Sequence, residues 1–207
     1  EKPSLLLQNY EHPFSWAGIT LGQSSLEETL EALESMDFVD VESIYQAEVF
    51  KDVDFGIYLD FQEGYREDGI RVWFIDDKAQ VLQFSSLYTL SEIQENLGEV
   101  EKFVAYGWMH ERPMLDYDGY STSAGYVIRG GPSSKRNYTK LEQVTLSEDS
   151  IFVIDLINPD RLMYVLGVNM GTARRDYVFS EGAFMDWHGY GDYEVVRPKY
   201  DLFMPGD

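Results

Sequence analysis

The chain has 207 residues, of which 44% are hydrophobic, 15% aromatic and 26% charged, a composition that excludes disordered, collagen-like and low-complexity classes. Acidic residues number 37 against 16 Lys and Arg, a net charge of −21 that argues against unaided binding to nucleic acid or an anionic bilayer. The absence of Cys removes disulfides, thiolate nucleophiles and the usual structural zinc sites.

The chain opens at Glu1-Lys2-Pro3-Ser4 without the cationic start and long apolar run of a secretory signal, and it contains no run of about 20 apolar residues that would span a bilayer. Residues 1–15 are expected to be a lead-in or the remnant of a tether. A first folded unit is expected over 16–87. Within it, Ser25 and Glu28 have capping-box spacing, and Leu26, Leu30 and Leu33 recur at steps of three and four, so a helix with one apolar face should start at Ser25. Three β segments follow, at 55–61, 69–75 and 79–84, the last two joined by a turn at Asp76-Asp77-Lys78.

A second unit is expected over 88–167. Thr89 and Glu92 repeat the capping box at an offset of 64 residues, Leu90, Ile93 and Leu97 repeat the apolar face, and Gly98 marks the helix end. Strands are expected at 124–129, 151–157 and 161–166, with an insertion near 130–150. Arg129, Lys135, Arg136 and Lys140 make a basic island in the stretch from Gly119 to Leu141, which has no acid. Residues 168–207, rich in Gly, Tyr and acids, are expected to be an irregular extension. The connections are too short for crossover helices, so the predicted class is α+β: two tandem units, each a short helix packed on one face of an antiparallel sheet.

The segment Gly18-Ile19-Thr20-Leu21-Gly22-Gln23-Ser24-Ser25-Leu26-Glu27-Glu28, followed by Leu33, resembles the opening of the SmpA/OmlA (BamE-like) lipoprotein domain, and Thr89 to Glu101 resembles a second copy. The β-lactamase inhibitory protein, a tandem of helix-plus-antiparallel-sheet units, is similar. The resemblance implies an extracytoplasmic bacterial protein, in the cell envelope or secreted, that works by binding other proteins, with any lipid-anchoring Cys upstream of Glu1. Glu34 stands where the family's first copy has Gly, and no functional residue of the family transfers to a position here.

Catalytic and metal motifs are sparse. His12, His110 and His188 are far apart; Asp186, His188 and Asp192 offer ligand-type side chains, and Asp116-Tyr117-Asp118-Gly119 begins like a calcium loop without its later oxygens or distal Glu. The nearest approach to a nucleophile elbow, Gly119-Tyr120-Ser121-Thr122-Ser123, misses the pattern, and Gly130 to Lys135 lacks the phosphate-loop ending. No cofactor, metal or catalytic residue is assigned, and a hydrolase using paired carboxylates ranks below binding functions.

Strand parity is more informative. Ile57, Leu59, Phe61, Ile70, Val72 and Phe74 should face the helix, leaving Tyr58, Asp60, Arg71 and Trp73 on the opposite face. Aromatic residues and Arg are the types enriched where partners dock. The leading expectation is a non-catalytic protein-interaction domain whose acidic, aromatic sheet surface meets a basic protein; the alternative is a carbohydrate or small-ligand binder using exposed Tyr and Trp. Residues 1–100 carry 21 acids against 5 bases, so most of the negative field belongs to the first unit. Trp16, Trp108 and Trp187 are read as packing residues, and Trp73 is alternatively read as covered by another part of the chain.

Overall fold

The computed structural model describes residues 2–11, 14–48, 53–109, 115–123, 126–131, 143–161 and 185–196. Helix α1 (Leu5–Asn9) leads into a small antiparallel sheet of β1 (Tyr10–Glu11), β2 (Ser15–Trp16) and β3 (Ile19–Thr20). Leu5 and Leu6 are buried in the main core, and the Trp16 indole, also buried, donates to the Leu5 carbonyl at 3.1 Å. The triple-Leu run therefore anchors this segment in the fold rather than leaving it as a tether.

Both capping boxes form. In α2 (Leu26–Glu34) the Glu28 amide donates to Ser25 Oγ at 3.3 Å and the Ser25 amide donates back to the Glu28 carboxylate at 2.7 Å. The main sheet then begins with β4 (Tyr45–Ala47), β5 (Phe55–Asp60), β6 (Gly69–Ile75) and β7 (Lys78–Phe84). Asp76 and Asp77 both take positive φ, as a two-residue hairpin turn of the primed kind requires, so Lys78 belongs to the strand rather than to the turn. Gly69 is needed where β6 passes β5, since a Cβ there would lie 2.3 Å from the Leu59 carbonyl oxygen.

A bridge strand β8 (Tyr88–Thr89) runs into α3 (Leu90–Leu97), capped by Thr89 and Glu92 in the same way and ended by Gly98 at φ +99°. Strands β9 (Lys102–Met109), β10 (Leu115–Ser123), β11 (Tyr126–Gly131), β12 (Gln143–Leu146) and β13 (Ile151–Ile157) follow. The expected strand at 161–166 is not found at its start: Arg161 closes a 3-10 turn, Pro159–Arg161, and the rest lies outside the described residues. The stretch expected to be irregular supplies β14 (Met185–Asp186) and β15 (Gly191–Val196), in which buried Tyr193 alternates with exposed Asp192 and Glu194, a strand periodicity.

The class is thus α+β, with few helices and mostly antiparallel sheet. One twelve-stranded sheet has the order β12-β15-β9-β10-β11-β13-β7-β6-β5-β4, with β8 on β13 and β14 on β9; the β15–β9 pairing is parallel and the others antiparallel. Leu33 of α2 and Leu90, Ile93 and Leu97 of α3 join Ile57, Leu59, Val72, Leu82, Ile154 and Leu156 in one apolar cluster. On the opposite face, Trp73, Ile75, Val81 and Ile157 are also buried, so the middle of the sheet is covered on both sides. Among the described residues, no helix is long and apolar enough to cross a membrane.

Candidate functional site: an aromatic and polar row at the sheet edge

The antiparallel register lines up one residue from each of five successive strands: Tyr45 opposite Tyr58, Tyr58 opposite Arg71, Arg71 opposite Gln83, and Gln83 opposite Asp155. Because directly opposed side chains share a face and lie within contact distance, this is a continuous transverse row. Its outer members touch through their π faces. The Tyr45 and Tyr58 rings stack with centroids 5.1 Å apart, and the Arg71 guanidinium carbon sits 5.4 Å from the Tyr58 centroid. Its inner members are polar: the Gln83 amide donates to Asp155 Oδ2 at 3.3 Å.

The three outer members of the row reach solvent and the two inner ones are buried. Tyr45 is 57% exposed and Asp155 1%. Arg71 is exposed and Tyr58 half-buried. Asp60, two residues after Tyr58 on the same face, is exposed at the end of β5, where its amide donates to Ser43 Oγ at 2.8 Å and its carbonyl accepts from the Asp40 amide at 3.0 Å. Asp40, Glu42 and Glu48, all exposed, flank the same edge. The structure therefore brings Tyr58, Asp60 and Arg71 together as expected and adds Tyr45.

Trp73 is corrected. It has the expected parity but is 3% exposed, among Val81, Ile75 and Ile157 of the covered second face, and cannot belong to an open surface. A bulge contributes to this local arrangement: Trp73 pairs with Val81 and Phe74 with Ala79, leaving Gln80 as the extra residue. Gln80 then accepts from the Asn158 side chain at 2.7 Å, and Gly22, at φ +78°, fits against that same Asn158, whose amide nitrogen would lie 2.6 Å from a Cβ.

A second polar cluster was not visible in the sequence. Glu67 is 1% exposed, and its carboxylate accepts from Ser4 Oγ at 2.5 Å, from the amides of Leu5 and Leu6 at 2.8 and 3.3 Å, and from the Tyr88 hydroxyl. Burial, followed by the hydrogen bond to Glu67, pushes the Tyr88 hydroxyl far above its ordinary range. Beside it, Arg66 pairs with Glu92 at 2.7 Å and lies over the Tyr88 ring. The hydrogen bond from Arg66, helped by the Thr89 amide, holds the Glu92 carboxyl down at about 2. Buried and accepting from four donors, Glu67 ties the N-terminal segment to β8, the strand that leads into α3, and acts as a structural clasp.

The weaker metal candidates do not assemble. The Asp192 carboxylate accepts from Thr145 Oγ1, and the His188 ring stacks on Tyr193 at 4.2 Å; no group of three or more ligand-type residues is present among the described residues. Asp116 and Asp118 sit in extended β10, opposite Trp108 and Tyr106, and not in a loop folded around an ion. Of the basic island, Arg129 is in β11, whereas Lys135, Arg136 and Lys140 lie outside the described residues, as do His12, His110 and the Trp108 side chain. Trp187 is half-buried and stacks on Tyr193 at 5.5 Å, and Tyr190, 44% exposed, meets it edge to face. The chain matches no family model, no curated protein and no solved structure.

Proposed function

We propose that this protein is a non-catalytic, extracytoplasmic interaction domain that engages a basic protein through the edge of its main sheet, with Tyr45, Tyr58, Asp60 and Arg71 at the contact. The observation that carries the reading is the change from buried to exposed along the transverse row. The same register row that is buried at Gln83 and Asp155 emerges as stacked aromatic rings at the outer strands, where the neighbouring exposed carboxylates are Asp40, Glu42, Glu48 and Asp60. Rigid Tyr rings and Arg are the types that most often dominate binding energy, and an acidic rim favours encounter with a positive partner.

The BamE-like, lipoprotein-like tandem is part of the same proposal. Supporting it are the two capping boxes 64 residues apart, each followed by a meander, and a strand order in which β4-β5-β6-β7 from one edge meets β13-β11-β10-β9 from the other at the antiparallel β7–β13 pair. A signal ending in a lipobox Cys in the native sequence upstream of Glu1 is the corresponding expectation for compartment and anchoring.

The test is affinity capture from the source organism with wild-type protein and with a Tyr58→Ala, Asp60→Asn, Arg71→Ala triple variant, eluted by rising salt. Retention by wild type, loss with the variant and elution by a few hundred millimolar salt are expected. Carbohydrate or small-ligand binding is the second reading, favoured by the exposed Tyr190 beside Trp187. Glycan binding that is salt-insensitive and lost on Tyr190→Ala would select it.

A further inference from the structure

Strand β4 is the last member of the main sheet, and among the described residues no strand pairs with its outer edge. The direction of its backbone groups follows from its neighbour. The Asp60 amide and carbonyl bond toward the β4 side, to Ser43 and Asp40, while the Phe61 amide donates to the Asp68 carbonyl on the other side. Groups two residues apart point the same way, so Tyr58 and Gly56 also face β4. Their opposites Tyr45 and Ala47 face inward, and the N–H and C=O of Gln46 face out over the edge.

The side-chain row ends at the same place. Ring planes 12° apart, with centroids 5.1 Å apart across neighbouring strands, mean that the stack runs along the inter-strand direction. One face of Tyr45 is taken by Tyr58; the other points beyond the sheet, on a residue that is more than half exposed. Within the row, the far face of Tyr58 is already met by the Arg71 guanidinium. The group that would extend this alternation past Tyr45 is a second guanidinium, supplied from outside. The surrounding charge agrees. Asp40, Glu42, Glu48 and Asp60 are exposed around this edge, so an arriving cation is attracted, whereas a second copy of the chain would bring these like charges together.

We propose that the free edge of β4 accepts an arginine-bearing extended segment of a basic partner as an added antiparallel strand, with its arginine on the outer face of Tyr45 and its next residue hydrogen-bonded to Gln46. This rests on the interaction-surface reading above and specifies its geometry. Because Tyr45 points its own backbone groups inward, the arginine opposite it forms a non-hydrogen-bonded pair; the backbone bonds come from the neighbouring residue of the partner.

That geometry sets the experiment. Full-length protein labelled with nitrogen-15 is titrated with an acetylated, amidated heptapeptide of alternating arginine and valine, and with three relatives: citrulline for arginine, N-methyl on the valine amides, and N-methyl on the arginine amides. The expected result is a shifted and newly protected Gln46 amide, binding abolished by methylation of the valine amides but kept within about threefold by methylation of the arginine amides. Citrulline weakens binding about fivefold or more. Tyr45→Leu weakens the arginine peptide about two- to fivefold, the range for an exposed cation–π contact, and leaves the citrulline peptide unchanged. Equal binding by the two methylated peptides, with shifts at Tyr58 and Arg71 but none at Gln46, overturns strand addition while leaving the face reading intact. No shift at millimolar peptide overturns it as well, as does a dimer in sedimentation that Tyr45→Leu dissolves; the face reading is then decided by the capture experiment alone.

Discussion

Tyr45 and Tyr58 stack across the outermost strand pair with their ring planes 12° from parallel, and Arg71 covers the opposite face of Tyr58. An aromatic pair contributes about 1 kcal/mol beyond the area it buries. Tyr58→Ala is therefore expected to lower the unfolding free energy by about 1–2 kcal/mol in urea denaturation, and Tyr58→Phe to change it by less than about 0.5 kcal/mol. With costs of that size the fold is expected to survive both, so loss of partner binding in a folded Tyr58→Ala variant would read as loss of contact.

Trp73 behaves differently. It is buried among apolar neighbours on the covered face. Trp73→Ala is expected to cost about 3–5 kcal/mol in the same measurement, the range for deleting a large core aromatic. A cost below about 1 kcal/mol would mean that this face is open and would return Trp73 to the binding surface.

The Glu67 clasp predicts a large effect from one loop acid. Glu67→Ala leaves Ser4, Tyr88 and two backbone amides without their shared acceptor, and about 3 kcal/mol of stability should go with it. Limited proteolysis should cut first within residues 2–11. Glu63→Ala, at an exposed acid of the same loop, should change stability by less than about 0.5 kcal/mol.

The Arg66–Glu92 pair sets a pH dependence. Glu92 has a folded pKa of about 2, below the ordinary value of about 4.3 in the unfolded chain, so the unfolded state binds more protons between those values. Its contribution is fully present above about pH 5 and is lost as pH falls toward 2; with the pair partly solvent-exposed, about 1–2 kcal/mol is expected. Urea titrations at pH 6 and pH 3 should show a smaller difference in Glu92→Gln than in wild type.

The local parts of the fold were readable because their causes are local. Ser25 with Glu28 and Thr89 with Glu92 each bond within four residues, and the Asp76-Asp77 turn needs only its own backbone. Parity put Tyr58, Asp60 and Arg71 on one face for the same reason. Tyr45 was missed because Tyr45-Gln46-Ala47 is too short to show an alternation. Trp73 and Glu67 depend on distant partners: coverage of the sheet's second face decides the first, and donors from Ser4, 63 residues away, decide the second. Strand β10, Leu-Asp-Tyr-Asp-Gly-Tyr-Ser-Thr-Ser, alternates apolar and polar residues only over Leu115 to Asp118 and is mostly small and polar beyond, so its pattern does not announce a strand of nine residues paired with both β9 and β11.

Engagement of a basic protein by the exposed edge-strand row is decided by the affinity of the captured partner for wild type and for the Tyr58→Ala, Asp60→Asn, Arg71→Ala triple variant at two salt concentrations. The triple variant removes one negative and one positive charge, so its net charge stays at −21 and any change belongs to the site. If the row is the contact, the affinity is at least about tenfold weaker in the variant, and the wild-type affinity falls as salt rises from about 50 to about 300 mM. Equal affinity in the two proteins, at either salt concentration, would contradict it.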